Sequence, residues 1–375
     1  MSRYRKPYRF KKIGKYYYYK LSNQKSFHTT GEKSKTLAEQ FVTLLMKKEE
    51  SSTDKTLKEY AEDFYIWDKC PHIRRLREEN KSIGQRHARL QRRVLEKHIF
   101  SDPIADKKMN EIKRGDILDF RTKLINNNIG MNTINKVMGV LKVIFNEALY
   151  REEVNRNPIM GVGNMKHTPK EVGTFTEEEL RGIFSENKFY PWQSILDYTC
   201  FLIAATTGMR RGEILALRWR DINFQKGYLT VNQAWKDRNE LGKPKWGKVR
   251  FVPIPKFTLE KLIKLRSESF NNEEDDFVFA YDDGGRLGGT WWRKRFIAAM
   301  KKAKINFEER NLRPHSFRHS LNSILKAKNY DTEKFRLSFG WADQKIQNNY
   351  THVNIEYLME QANIVSDIFL GKNYE

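Results

Sequence analysis

Residues 157–173 read NPIMGVGNMKHTPKEVG, a stretch in which helical periodicity stops and Gly, Pro and polar residues take over. Proline supplies no backbone N–H and glycine adds backbone entropy, so neither sustains a helix or strand across the run. It therefore reads as an inter-domain linker. A chain of 375 residues exceeds the usual single-domain range, and the break separates parts that must each bury a core of their own.

A shorter polar run, KKEESSTDK at residues 47–55, marks a second joint. Before it, GKYYYYKL and KSFHTTGEKS read as short strands joined by turns, and Thr36 with Glu39 has the capping-box spacing that opens a helix through Leu37, Phe41, Leu44 and Leu45. After it, Leu57, Tyr60, Ala61 and Phe64 begin helical spacing, and QRHARLQRRVLEKHI, RGDILDFRTKLI and TINKVMGVLKVIFNEALYRE are amphipathic. Beyond the long linker, Thr176 and Glu179 form another capping box. GYLTVNQAW and KVRFVPIP bracket a turn region containing Asn239 and Gly242 and read as a β-hairpin, and from Gly289 the pattern returns to helix. The expected architecture is multidomain and mainly α with small β-sheets: a sheet plus helix over 1–50, a helical domain over 56–165, and an α+β domain with a helical tail over 174–375.

Lys and Arg number 70 against 47 Asp and Glu, a net charge of +23. Such an excess suits a polyanion, nucleic acid foremost, and it is accompanied by 17 Tyr, 23 Phe and 8 Trp. The first twenty residues hold eight Lys or Arg, six Tyr and no acid, which makes Lys15 and Tyr17 candidate DNA contacts. In QRHARLQRRVLEKHI, Arg86, Arg89, Arg92, Arg93 and Lys97 surround Leu90, Val94 and Leu95. A DNA-facing surface, with Arg86, Arg89 and Arg93 as contacts, and an ordinary solvated face are both open readings. Cys70 and Cys200 are far apart and offer no disulfide framework or zinc cluster. No run of 18 apolar residues occurs and MSRYRKPYRF is followed by no hydrophobic stretch, so no membrane span or signal peptide is expected and the cytoplasm is the expected compartment.

Three segments of the last domain carry chemistry: ATTGMRRGEILALRW (205–219), LRPHSFRHS (312–320) and SFGWADQKIQNNYTH (338–352). Together they resemble the tyrosine recombinase family of phage and mobile-element integrases. Thr207, Gly208, Arg210 and Glu213 meet its T-G-x-R-x-x-E pattern, His315 and Arg318 its H-x-x-R motif, and Tyr350 follows the Gly340-Trp341 step by the family's spacing. Lys245, Lys248, Arg250, Val252 and Pro253 fit its K-x-x-K-x-R-x-V-P pattern. Each motif alone is weak; four in order and spacing in a basic chain are specific.

The residue types have physical reasons. A phosphodiester under attack gathers charge on its equatorial oxygens, and fixed guanidinium forks, here Arg210 and Arg318, stabilise that charge. His315 and Arg318, three apart after a helix-starting Pro314, are expected on one helical face. The resemblance implies that the hydroxyl of Tyr350 attacks phosphorus with help from His315, and that Lys245 protonates the leaving 5′ oxygen, with Lys243 and Lys248 as nearby competitors. Trp341 stands where many members carry His; its indole donates to a phosphate oxygen or simply packs. Glu213 is expected to orient the active-site Arg or His, and Arg211 and His319 to point elsewhere.

The resemblance implies an arm-binding-like N-terminal domain, a helical core-binding domain and an α+β catalytic domain, the last two gripping opposite sides of a duplex. It implies no metal and no cofactor; double-stranded DNA with core-type and arm-type sites as partner; and a homotetramer on DNA, with room for a directionality factor or a host DNA-bending protein. The tail NIEYLMEQANIVSDIFLG is an amphipathic helix that docks on a neighbouring protomer or on its own domain. The expected function is integration and excision of a mobile element. A type IB topoisomerase or hairpin telomere resolvase, and a catalytically inactive DNA-binding regulator, are the alternatives.

Overall fold

The computed structural model describes residues 8–21, 25–50, 53–81, 83–168, 171–185, 189–237, 240–244, 249–340 and 355–371. The chain divides into two compact units, Met1–Thr168 and Pro169–Glu375.

The first unit opens with an antiparallel sheet of β1 (Tyr8–Ile13), β2 (Tyr16–Leu21) and β3 (His28–Thr29), in which Tyr8 faces Leu21 and Tyr18 faces Thr29. Gly14 closes the β1–β2 turn at φ +58°, a conformation that costs a side-chain-bearing residue strain. Tyr19, Leu21 and Val42 form a small core here, with helix α1 (Lys35–Glu50) laid against β2. The helix begins ahead of the expected Thr36 cap: the Ala38 N–H already donates to the Ser34 carbonyl at 3.0 Å. Ser34 is itself a favoured cap residue, so the first turn closes two residues early and Thr36 lies inside it.

The rest of the unit is helical: α2 (Leu57–Tyr60), α3 (Pro71–Glu78), α4 (Gln85–Val94, running into a π-turn over Leu95–Ile99), α5 (Arg114–Asn126) and α6 (Met131–Tyr150). The Thr56–Glu59 capping box that opens α2 is complete. In α6, Ile134, Val137, Met138, Leu141, Ile144, Phe145 and Ala148 recur every three or four residues and are all buried. Each such aliphatic or aromatic side chain contributes about 1.5–3 kcal/mol on leaving water. The same helix buries Glu147, which Arg75 and Arg151 contact at 2.9 and 3.1 Å and His72 at 3.2 Å. Leu90, expected on the inner face of α4, is 49% exposed. Ala88 and Leu95 face inward instead, and Arg92 bonds the carbonyls of Ala61, Glu62 and Phe64.

The second unit is built around α8 (Ile195–Thr207), buried at every position from Asp197 to Thr207. Ser194 caps its start through the Asp197 N–H, and Gly208 ends it at φ +58°. Around it lie α7 (Glu177–Ile183), opened by the complete Thr176–Glu179 capping box, and the short α9 (Arg211–Ile214). Next come β4 (Ile222–Asn223), β5 (Tyr228–Val231), β6 (Ala234–Asp237), β7 (Glu240–Gly242) and β8 (Arg250–Pro253). The expected hairpin is in fact nested. β5 pairs directly with β8, Leu229 facing Val252, in the order β4-β5-β8, while β6 and β7 form their own two-stranded ribbon. The ribbon exists because Trp235 anchors it, donating its indole N–H to the Leu215 carbonyl at 2.9 Å.

Helices α10 (Lys256–Glu268), α11 (Gly289–Lys302), α12 (Ser316–Ala327), α13 (Thr332–Ser338) and α14 (Ile355–Leu370) complete the unit. An aromatic cluster joins α11 and α12 to α8: the Phe201 ring lies 4.5 Å from Trp292 and 6.2 Å from Phe317. The tail helix α14 packs on its own unit, against α7, β8 and α10. Val365, Ile368 and Phe369 are buried there, and Arg181 donates to the Ile368 carbonyl. Of the two readings of this segment, packing on its own domain is the one this chain displays, its apolar face joining the core. Among the described residues, no helix is long and apolar enough to cross a membrane, and no three His, Cys, Asp or Glu side chains are placed to hold a metal. Cys70 and Cys200 are both buried and free.

Candidate active site

The left-handed turn at Gly208 ends α8 and brings the chain round to Arg210, whose backbone N–H and guanidinium both bond the Glu213 carboxylate, at 2.9 and 3.1 Å. From α12, Arg318 donates to the carbonyls of Gly208 at 2.6 Å, Phe339 at 3.0 Å and Gly340 at 2.7 Å. Arg210 also reaches the Gly340 carbonyl, at 3.0 Å. Two guanidinium groups from separate helical segments of the unit thus meet on one oxygen.

A third guanidinium lies behind them. Arg250 leaves β8 opposite Val231, grips both Glu213 oxygens at 3.2 and 2.6 Å, and donates its Nε to the Ser338 carbonyl at 3.2 Å. Glu213 has 1% of its side chain exposed and Arg250 10%. Burial alone would raise the Glu213 carboxyl, but Arg250 and then Arg210 outweigh it and hold it below the usual carboxylate range. Burial, with Arg210 nearby, pushes the Arg318 guanidinium down to about 9. Three cations around one carboxylate leave an excess of positive charge in a partly desolvated place, and backbone carbonyls of Gly208, Ser338, Phe339 and Gly340 accept from them. That is the electrostatic setting of an oxyanion or phosphate site.

His315 stands at this site as the cap residue of α12, not in its first turn as the Pro314 signal implied. The helix begins at Ser316 because the Ser316 hydroxyl accepts from the Arg313 N–H at 3.0 Å, closing a turn across Pro314. His315 keeps an exposed face, yet desolvation, then His319, Arg318 and Arg210, push its imidazole down to about 4. It is therefore a neutral proton acceptor at neutral pH. His319, expected to point away, is in edge-to-face contact with it, ring centroids 4.9 Å apart. One helical turn from His315 to His319 places the two rings together. Arg211 does lie elsewhere, against Gly289 at the start of α11.

The structure thus brings together Arg210, His315 and Arg318. Lys245, Trp341 and Tyr350 lie outside the described residues. Arg86, Arg89 and Arg93 are exposed on one face of α4 at i, i+3, i+7 spacing. Lys15 is exposed in the β1–β2 turn, whereas Tyr17 is half-buried, with Phe10 and the ammonium of Lys12 on its ring. Two residues at this site go beyond the expectation: Arg250, named in the K-x-x-K-x-R-x-V-P match but given no role, and His319, expected to point elsewhere. A charged residue inside the otherwise apolar strand RFVPIP was the available signal for the first.

Residues 174–356 match the phage integrase family. The ICEBs1 integrase of Bacillus subtilis (strain 168) is 29% identical over 295 residues, covering 74% of this chain and 77% of that protein. The tyrosine recombinase XerA of Pyrococcus furiosus is 26% identical over 262 residues, covering 68% and 83%. Among solved structures, a lambda integrase dimer bound to a COC′ core site covers 98% of this chain and 95% of its own, with a TM-score of 0.59 and 15% identity. The Tn1549 transposon integrase in complex with transposon right end DNA covers 83% and 100%, with a TM-score of 0.59 and 18% identity. At these identities the structural likeness is one of fold, helical with small sheets. Residues 174–356 are thus a phage integrase family domain, in a chain whose sequence relatives are an integrase and tyrosine recombinases.

Proposed function

We propose that this protein is the site-specific recombinase of a mobile element, cutting and rejoining DNA through a phosphotyrosine link at Tyr350. The phenolic oxygen of Tyr350 attacks the scissile phosphorus, the bond to the 5′ oxygen breaks, and a 3′-phosphotyrosine ester forms. Arg210 and Arg318 hold the non-bridging oxygens, His315 takes the phenolic proton, and Lys245 protonates the departing 5′ oxygen. Trp341 donates its indole N–H to a phosphate oxygen. Attack by the 5′ hydroxyl of a partner duplex then reverses the ester, and because the ester conserves the bond energy no ATP is required.

The observation that carries this reading is the meeting of Arg210 and Arg318 on the Gly340 carbonyl at 3.0 and 2.7 Å, beside a neutral His315. An acceptor shared by both forks means that the two guanidinium groups converge on one place, beside which a phosphate would lie. The exposed row Arg86, Arg89 and Arg93 supports phosphate contacts by the helical core-binding domain over 56–165. The basic sheet carrying Lys15 and Tyr17 supports an arm-type role for residues 1–50, with 174–375 as the catalytic domain. The lambda integrase, solved as a tetramer bound to a Holliday junction, supports assembly of four copies on DNA.

The test uses a nicked duplex bearing the attachment junction of the element that encodes the chain. The natural protein should form a covalent adduct that denaturing electrophoresis retains. Tyr350→Phe should bind the duplex and form none. Adducts that persist in Tyr350→Phe would assign the nucleophile elsewhere.

A further inference from the structure

Arg250 has no part in the reaction just described, yet it bonds both Glu213, which holds Arg210, and the backbone that leads to Gly340. The Glu213 carboxylate accepts four N–H donors, two from Arg210 and two from Arg250. The third N–H of Arg250 holds the Ser338 carbonyl, two residues before the oxygen on which Arg210 and Arg318 meet. Its guanidinium also fills the space beside Gly340, where an added Cβ would lie 2.8 Å from Cζ. With 10% of its side chain exposed, Arg250 is itself shielded from a DNA backbone.

We propose that Arg250 is a positioning residue for strand cleavage: a buried bracket that sets the guanidinium of Arg210 through Glu213 and, through the Ser338 carbonyl, the 338–340 backbone that precedes Trp341 and Tyr350 in the sequence. This rests on the recombinase reading above. Without Arg250, Glu213 loses two of these four donors in a buried setting, so the Arg210 fork turns further onto Glu213 and away from the phosphate. Lysine is a partial substitute at best. One ammonium is a point charge and does not span a carboxylate and a carbonyl as a planar fork does. A misplacement of ~1 Å in such a site costs about 100-fold in rate.

The experiment uses the full-length chain and the same nicked attachment-junction duplex. It measures the rate of adduct formation at saturating DNA and, separately, the Kd for the duplex. Arg250→Met should lower the rate by about 100-fold while Kd changes by less than about threefold. Arg250→Lys should keep the fold, by circular dichroism and urea midpoint, and still lose roughly 10-fold in rate. If Arg250→Met fails to fold, Arg250→Lys decides alone. A folded Arg250→Lys or Arg250→Met with the natural rate overturns the proposal, as does a loss confined to Kd. Failure of the recombinase reading looks different: no adduct from the natural chain, or adducts from Tyr350→Phe.

Discussion

Gly340 and Arg250 fit against each other with no room for a methyl group: a Cβ on Gly340 would stand 2.8 Å from Cζ and 2.9 Å from Nε of the arginine. Gly340 is also left-handed, at φ +66°, so two independent constraints select glycine at the step before Trp341. Gly340→Ala should therefore lower stability by about 1–2 kcal/mol from backbone strain, before the displaced guanidinium is counted. A thermal midpoint about 2–8 °C below that of the natural chain checks this. An unchanged midpoint would show that the turn opens freely.

The acid sensitivity of the DNA-free protein follows from His315. Its imidazole lies at about 4 in the fold against an ordinary 6.5. Between these values the unfolded chain binds a proton that the folded chain excludes, so stability present above about 6.5 is lost as pH falls toward 4. His319, also shifted down, acts in the same direction. Urea midpoints taken across this window should decline for the natural chain and decline less for His315→Gln. Parallel curves for the two proteins would remove His315 as the cause.

Phe369 ends the tail helix inside the core of its own unit, 5% exposed, with rings of Phe184 and Phe257 each 6.0 Å away. Phe369→Ala should cost about 3–5 kcal/mol, the range for emptying a buried aromatic site. The same contact means that truncation after Thr351 first removes core, so any loss of synapsis there reports on folding before assembly. A denaturation curve for Phe369→Ala that overlays the natural one would contradict cis docking.

The exposed row on α4 can be read through salt. If Arg86, Arg89 and Arg93 each neutralise one phosphate, replacing any one by alanine should flatten the plot of log Kobs against log salt by about 0.9, and the changes should add. Stability should stay within about 0.5 kcal/mol, since all three are exposed. Titrations from low to moderate salt that give one common slope would make the row an ordinary solvated face.

The sequence by itself determined what depends on near neighbours. The capping box at Thr176 and the apolar period of α6 are set by contacts three or four residues away, which a local pattern displays. It also placed Arg210, His315 and Arg318 in one site, through motif order rather than geometry. Tertiary structure alone decided the rest. Arg210 meets the Gly340 carbonyl 130 residues away, and Arg250 meets Glu213 across 37. Likewise, the β6–β7 ribbon, the outward turn of Leu90 and the seat of α14 on its own unit follow from which surfaces pack together. A buried carboxylate takes whichever cation the packing delivers to it, and the selection of Arg250 among 70 basic side chains was made by the pairing of β8 with β5.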